Sequence, residues 1–290
     1  MSRVLQKCAT LSRRLEAGPH SPLADENHRA CQILSPLPIQ ILFALSEECP
    51  NYVNIPYVQL RLVFAMHTQL PAQITFTGLD AQTPLAMLAE LSKCYPIEWG
   101  ILLHPARQGT GRFPPLDIVR AALDLGLTCA GHLCGGFARG VVHQMALPAD
   151  IVALLDRFHR LQINTAERGV DPDRIAKFAA RFGARAILQC RGTERFPENQ
   201  SVEWLFDASG GKGRLASRWP VPSESAPIVG YSGGLGPLTV ASALESITRQ
   251  HPATVPFWID MESGIRTEDR FDFELCRQVC EIVFGSAGSR

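Results

Sequence analysis

Three short stretches in the second half of the chain combine an acidic or hydroxyl side chain with closely spaced glycines. In "LFDASGGKGR" (205–214), Asp207 ends an apolar run, and a glycine-rich segment that contains Lys212 follows it. The other two stretches are "SGGLGP" (232–237) and "DMESGI" (260–265). An aspartate can act as a general acid or base, and the N–H groups of glycine turns can bind phosphate. The stretches therefore suggest proton-transfer and phosphate-binding chemistry, although a glycine turn can also serve only to reverse the chain.

Eight short apolar runs, each ending in a small or polar residue, recur from about Ile74 onward. Helix-patterned segments separate most of them; in "DPDRIAKFAARFG" (171–183) the apolar residues fall at helical spacing. Buried strands that alternate with helices predict a parallel sheet with right-handed crossovers. Eight repeats favour a closed (β/α)8 TIM barrel over an open doubly wound sheet, whose dinucleotide fingerprint is missing from the first strand–helix turn. The runs are 73–78, 98–105, 127–135, 161–166, 185–192, 202–211, 227–234 and 256–264.

The predicted barrel has an incomplete helical layer and begins after a long leader. The segments "TERFPENQ" (193–200) and "WPVPSESA" (219–226), which follow the fifth and sixth runs, are too short and too rich in proline for regular helices. Residues 1–65 lack the strand–helix rhythm, so we expect the barrel domain to span 66–290 and residues 1–65 to form an irregular N-terminal extension. A disordered segment, a transit-like segment and an over-extended start are equally compatible with the sequence of this extension.

Composition and charge argue against several classes of function. The 290 residues carry 28 basic and 28 acidic side chains, so a net charge of zero gives no reason to expect a nucleic acid or an anionic membrane as partner. No apolar run is long enough to span a bilayer. The nine cysteines form no CxxC pair and no His/Cys quartet, so no metal site is predicted. We expect a cytoplasmic protein that is a monomer or a homodimer.

The two later glycine turns occupy the positions where barrels of this class often bind phosphate, after the seventh and eighth strands. Gly233, Gly234 and Gly236 follow the seventh run, and Ser263 and Gly264 follow the eighth. Two such turns on adjacent strands can bind one phosphate through N–H groups and a hydroxyl. We therefore predict these five residues as a phosphate site.

The last three runs resemble those of a known family. "LFDASGGKGRLASRW", "VGYSGGLGPLTVASAL" and "WIDMESGIRTEDRFDFELCRQV" are similar to the last three strands of phosphoribosylanthranilate isomerase, an enzyme of tryptophan biosynthesis. The similarity extends from about residue 74 to residue 283. It implies an intramolecular aldose–ketose isomerase that performs an Amadori rearrangement on a phosphorylated amino sugar. It also implies that no metal ion or organic cofactor takes part.

The resemblance also assigns roles to individual residues. Asp207 matches the family's acid, which assists opening of the ribose ring. Arg112 matches an arginine that contacts the anthranilate carboxylate, a group that a guanidinium can bind with two hydrogen bonds; Arg107 and Arg191 are competing candidates. The family's catalytic base is a cysteine at the end of the first strand, where this sequence has Thr77. Because a threonine hydroxyl has no accessible anion near neutral pH, the resemblance leaves the base unidentified.

Five other polar residues lie near the ends of predicted strands. His104 and His132 end the second and third runs, where an imidazole could contact the substrate. Asp80 could replace the missing base, but a capping role at the helix that begins near residue 84 explains it as well. Cys134 and Cys190 are further candidates for the base, and core packing is the alternative for both thiols.

The threonine at position 77 keeps two other functions open. One is a paralogous barrel that binds a phosphosugar but catalyses a different reaction. The other is a barrel without catalytic activity that senses a phosphosugar.

Overall fold

Eight parallel strands close into a barrel in the computed structural model, which describes residues 69–191, 194–208 and 213–286. The strands are β1 (Gln73–Thr77), β2 (Ile97–Leu103), β3 (Cys129–Cys134), β4 (Arg160–Asn164), β5 (Arg185–Cys190), β6 (Glu203–Asp207), β7 (Val229–Ser232) and β8 (Phe257–Met261). Each strand pairs with the next in chain order, and β1 also pairs with β8. This closing pair confirms the predicted (β/α)8 barrel and excludes the open sheet.

Helices cover most of the outer face of the barrel. Those in the described residues are α1 (Leu85–Cys94), α2 (Leu116–Asp124), α3 (Gly136–Val142), α4 (Ala149–Leu155), α5 (Pro172–Ala180), α6 (Val240–Thr248) and α7 (Phe273–Phe284). A single 3-10 turn (Ser263–Ile265) and a short hairpin, β9 (Arg266–Thr267) and β10 (Arg270–Phe271), lie between β8 and α7. The element order is therefore the alternation that the apolar runs predict.

Local sequence explains where several helices begin. The side chain of Asp171 accepts hydrogen bonds from the first turn of α5, and Pro172 occupies the first helical position. In α7, Cys276 and Cys280 are buried on the core face, so both thiols pack in the hydrophobic core. Before α6 the chain forms a turn, in which the Gly236 carbonyl accepts hydrogen bonds from the N–H groups of Thr239 and Val240, and the helix begins at Val240.

The described residues contain no helix between β5 and β6 or between β6 and β7, which confirms the incomplete helical layer. Aromatic side chains from the two connections cover that face instead. The Phe196 ring lies 5.4 Å from that of Tyr231, and the Trp219 ring lies 5.7 Å from Tyr231 and 5.9 Å from Phe206, measured between centroids. Large rings bury apolar area that a helix would otherwise cover.

The barrel lies in a structural unit that spans His67–Arg290. The predicted extension, residues 1–65, lies outside the described residues, and so does Lys212. Within the part of the chain that the structure describes, no helix is both long enough and apolar enough to cross a membrane.

A buried ion-pair network fills the amino-terminal half of the barrel interior. Arg160, at the start of β4, donates hydrogen bonds to Glu98 (2.8 Å from Nε to Oε2) and to Glu203 (2.7 Å). Its guanidinium also lies 4.2 Å from the ring centroid of Trp258 and 3.3 Å from the Thr75 hydroxyl. Burial raises the pKa of Glu98, but the charge and hydrogen bonds of Arg160 outweigh burial and hold it below its usual value. We call these five residues the Arg160 network; it lies inside the barrel, on the amino-terminal side of the space at the carboxyl ends of the strands.

Candidate active site

A cavity of about 270 Å³ lies at the carboxyl ends of the strands, the end at which barrels of this class carry their catalytic residues. Side chains alternate between the interior and the exterior along each strand. The last inward-pointing residues of seven strands therefore meet in one space, and only β2 contributes none among the described lining residues. Inward-pointing residues that line the cavity include Thr77, His132, Gln162, Asp207, Ser232 and Asp260.

Asp207 is the last residue of β6 and is 4 % exposed within the cavity wall. Strand register aligns it with Ser232 on β7, which in turn aligns with Asp260 on β8. The Ser232 hydroxyl donates a hydrogen bond to the Phe206 carbonyl (3.0 Å), so the register between β6 and β7 is fixed next to the carboxylate. The structure thus places the predicted acid on the cavity wall, one strand away from the predicted phosphate turns.

Thr77 ends β1 and donates a hydrogen bond from its hydroxyl to Oδ1 of Asp260 (2.8 Å). The side chains of both residues are buried and both line the cavity. Gly100 on β2 makes room for this arrangement, because a Cβ at that position would lie 2.2 Å from the Thr77 hydroxyl oxygen. Sequence reasoning missed Asp260, although the eighth run, "PFWIDMESG", places this aspartate where a strand was expected to end.

The environment of Asp260 changes its acidity. Its pKa is raised to about 7: burial and the nearby carboxylates of Glu262 and Glu98 raise it, whereas the Thr77 hydrogen bond and the charge of Arg160 lower it. Burial acts in this direction because a charged carboxylate is poorly solvated in a protein interior. Asp260 can therefore both hold and release a proton near neutral pH.

His132 points into the cavity from β3 and is 1 % exposed. Burial lowers its pKa to about 4; the charge of Glu98 opposes this and that of Arg160 reinforces it, so the imidazole is neutral at neutral pH. Within the described residues its Nε2 atom has no hydrogen-bond partner. A buried ring nitrogen without a partner costs free energy, and a polar group of a ligand in the cavity would satisfy it.

The two glycine turns predicted as the phosphate site pack directly against each other. Gly233 and Gly234 adopt φ values of 100° and 69°, a region that side chains disfavour, and both line the cavity together with Ser263 and Gly264. A Cβ on Gly264 would lie 1.9 Å from the Leu235 carbonyl oxygen. Gly236 lies on the other side of the same contact, where its Cβ would be 2.9 Å from the Gly264 carbonyl oxygen. The backbones of the turns are therefore in contact, and one anion could reach both.

Arg112 and His104 lie outside the lining residues of the cavity. Arg112 donates hydrogen bonds to Glu262 (2.6 Å), which lines the cavity, and to Asp269. His104 Nδ1 accepts a hydrogen bond from the Ala106 N–H group (3.1 Å). Burial and the charges of two nearby arginines lower the pKa of the His104 imidazole. The structure therefore brings Arg112 to the cavity only through Glu262 and assigns His104 a structural contact.

The other candidates for the base either form hydrogen bonds within the protein or have a pKa too high for ionisation near neutral pH. The capping role that the sequence suggested for Asp80 is wrong, because α1 begins after Pro84 without a side-chain cap. Its carboxylate instead accepts hydrogen bonds from Gln82 N–H and from Phe271 N–H (2.8 Å), which ties the β1–α1 loop to the hairpin. Burial raises the pKa of Cys134 and of Cys190 to about 12, so neither thiol ionises near neutral pH.

Amides and one arginine complete the cavity wall. Gln162 donates a hydrogen bond to the Asn164 side-chain oxygen (2.7 Å), and Asn164 donates to the Cys134 sulfur (3.2 Å). Arg191, just after β5, is an exposed cation on the same wall. Among the residues that the structure describes, no group of three or more histidine, cysteine, aspartate or glutamate side chains is arranged to hold a metal ion.

Comparison with known proteins gives matches in structure only. No protein-family model matches the chain, and no curated protein matches it either. TrpF from Jonesia denitrificans is 18% identical with a TM-score of 0.50, and the match covers 75% of this chain and 99% of that one. N-(5'-phosphoribosyl)anthranilate isomerase from Pyrococcus furiosus is 12% identical with a TM-score of 0.47, and the match covers 73% of this chain and 98% of that one. At these identities the likeness shows the fold alone, and the chain is a (β/α)8 TIM barrel.

Proposed function

We propose that this barrel catalyses the Amadori rearrangement of N-(5-phosphoribosyl)anthranilate to the corresponding 1-deoxyribulose phosphate, a step of tryptophan biosynthesis. One observation carries the proposal: Asp207, the residue that matches the family's acid, lines the same cavity as the glycine turns after β7 and β8. An acid and a phosphate site in one cavity suit a substrate that carries a phosphate at one end and a sugar ring to be opened at the other.

The reaction divides into steps that side chains of the cavity can perform. The turns formed by Gly233–Gly234 and Ser263–Gly264 bind the phosphate and fix the sugar. Asp207 gives a proton to the ring oxygen, the bond between that oxygen and C1 breaks, and the substrate nitrogen forms a Schiff base with C1. Loss of the C2 proton then yields an enolamine, which becomes the ketone when C1 gains a proton. The imine accepts the electron pair, so the proposal requires no metal ion or organic cofactor.

The anthranilate carboxylate requires a cation, and two arginines are available. Arg191 lines the cavity, whereas Arg112 is held by Glu262 and Asp269. Arg112 would have to leave these partners to bind the substrate directly. Arg191 needs no such rearrangement, so it is the better candidate for this contact.

The test of the proposal is direct turnover by the full chain. Addition of N-(5-phosphoribosyl)anthranilate should lead to loss of the anthranilate fluorescence at a rate well above that of a heat-inactivated sample. A folded protein without turnover would contradict the proposal. Calorimetry on the same sample then separates the remaining functions: binding of the phosphosugar without turnover favours a sensor or a different reaction, which Thr77 keeps open.

The phosphate site gives a second prediction. Gly264→Ala places a Cβ 1.9 Å from the Leu235 carbonyl oxygen, so the two turns must move apart. Because a hydrogen bond to a charged group contributes about 1.5–3 kcal/mol, KM should rise at least about tenfold, with a smaller change in kcat. Gly126→Ala is the control for a general loss of stability: its φ of 71° strains an alanine there, but the glycine lies outside the cavity, so KM should not change. An unchanged KM in Gly264→Ala would remove the turns from phosphate binding.

A further inference from the structure

We infer that Asp260 is the general base of this barrel and removes the C2 proton, with Thr77 as the residue that positions its carboxylate. The inference rests on the proposed function and supplies the proton acceptor that the sequence leaves unidentified. Four features of the described residues carry it: the contact between the two side chains, the space that Gly100 provides, the surroundings of the carboxylate and the balance of the reaction.

The first feature is the contact across the closing pair of strands. Residues on β1 and β8 lie side by side, and the Thr77 hydroxyl, in the position of the family's base, donates to Oδ1 of Asp260 at 2.8 Å. Within the described residues no donor reaches Oδ2 of Asp260, and this residue lines the cavity. One carboxylate oxygen is thus held in place, and the other remains for the substrate.

The second feature is the absence of a side chain at position 100. Any Cβ there would collide with the Thr77 hydroxyl, at 2.2 Å, and would lie 3.1 Å from Cε1 of His132. Gly100 leaves room for the rotamer in which the Thr77 hydroxyl points toward Asp260. Because threonine is stiff about its first side-chain torsion, the hydroxyl keeps that direction. The threonine cannot serve as the base itself, but it can orient the group that does.

The third feature is the set of charges that face Asp260. Glu262 lies two residues further along the chain from β8, Glu98 and Arg160 belong to the network below, and His132 and Asp207 line the same cavity. Burial and the two glutamates hold the pKa of Asp260 at about 7, against the opposing effects of Thr77 and Arg160. A base is most effective when its pKa lies near the working pH. The alternatives are less suited, since the pKa of His132 is about 4 and that of Cys134 is about 12.

The fourth feature is a complete balance of protons and electrons. After Asp207 has given its proton to the ring oxygen, the Asp260 carboxylate takes the proton from C2 of the protonated Schiff base. The electrons of the C2–H bond form the C1–C2 double bond, and the electrons of the C1–N double bond return to nitrogen. The enolamine then loses its hydroxyl proton and gains one at C1, so the substrate and product have the same composition.

The experiment compares kcat/KM for the full-length wild type and five variants, one of which is His132→Gln. Asp260→Asn keeps the shape but cannot accept a proton, so kcat/KM should fall by about 10²–10⁴-fold. C2-deuterated substrate should show a larger isotope effect in this variant than in wild type, because proton removal becomes the slow step. Thr77→Val should lower kcat/KM less, and Thr77→Ser should restore it. Thr83→Val is the matched control, since that hydroxyl also contacts a buried carboxylate, Asp80, but lies outside the cavity lining and should leave kcat/KM unchanged.

A pH profile gives a second measurement that does not depend on folding of the Asp260 variant. The acidic limb of the wild-type kcat/KM profile should rise with pH through a break near pH 7, because Asp260 must lose its proton to act as the base. Loss of the Thr77 hydrogen bond removes an interaction that lowers this pKa, so Thr77→Val should move the break to higher pH, and Thr77→Ser should move it back. A merely structural role for Thr77 would change the rate without moving the break.

The outcomes separate this inference from the proposed function. If wild type turns over and Asp260→Asn keeps more than half of its kcat/KM, Asp260 is not the base, while the function stands. Loss of activity in His132→Gln with full activity in Asp260→Asn would assign proton removal to the imidazole and overturn the inference. A break that stays in place in Thr77→Val would remove Thr77 as the positioning residue. Absence of turnover in folded wild type contradicts the proposed function and this base together.

Discussion

Replacing Asp207 with asparagine should lower kcat/KM for N-(5-phosphoribosyl)anthranilate by about 10²–10⁴-fold, the range expected when a general acid is lost. Asparagine has nearly the same size and can keep the hydrogen bonds of the site, but it cannot give a proton to the ring oxygen. The effect should fall on kcat, because the phosphate turns and the other cavity residues still bind the substrate. Fluorescence kinetics and calorimetry on the same preparation measure the two quantities separately.

Two comparisons make this prediction specific. Asp124→Asn removes an aspartate that forms an exposed ion pair with Arg157 outside the cavity, and it should leave kcat/KM unchanged within about twofold. Asp207→Asn should bind the substrate with wild-type affinity and consume it slowly. If turnover instead proceeds at the wild-type rate, Asp207 has no part in ring opening, and the match to the family's acid carries no mechanistic meaning here.

The barrel could be predicted from the sequence because each strand and its following helix are encoded locally. The apolar runs 73–78 and 256–264 correspond to β1 and β8, and the spacing of apolar residues marks α5. Proline-rich composition also predicted the missing helices after β5 and β6. Details that depend on tertiary contacts were not predictable in this way, such as the packing of Phe196 and Trp219 against Tyr231 where helices are missing.

The candidate site was predictable only in part, for a physical reason. Asp207 and the glycine turns are visible because a strand end is marked by its own neighbours in sequence. The contact between Thr77 and Asp260 joins residues 183 positions apart, and it depends on which side chains point inward where the barrel closes. The same holds for Arg160, whose partners Glu98 and Glu203 lie on two other strands. No local pattern encodes such a pair, so the base could not be assigned from the sequence.

The Arg160 network leads to the largest expected change in stability. Arg160→Met removes the cation and leaves two buried carboxylates, on Glu98 and Glu203, without their main partner. Breaking a buried ion pair by removing one partner costs about 3–5 kcal/mol, because the remaining charge is poorly solvated. A domain has a total free energy of unfolding of roughly 5–15 kcal/mol. Arg160→Met should therefore lose a large share of the stability, as measured by urea unfolding at neutral pH.

Arg185→Met provides a matched control, and the pH dependence of the unfolding free energy provides a second measurement. Arg185 also pairs with Glu203 (3.0 Å), but its side chain is 64% exposed, so its removal should cost less than about 1 kcal/mol.

In wild type, Arg160 holds the pKa of Glu98 below its usual value of 4.5. This interaction stabilises the fold above that pH, and the stabilisation is lost as the pH falls. In Arg160→Met, burial favours the protonated form of Glu98, and only the smaller effects of the Thr75 hydrogen bond and of His132 still oppose it. The difference in unfolding free energy between wild type and Arg160→Met should therefore shrink from pH 7 toward pH 4. A difference that is small at neutral pH, or equal to that of Arg185→Met, would mean that the network contributes little to stability and that the cavity rests on the apolar packing around it.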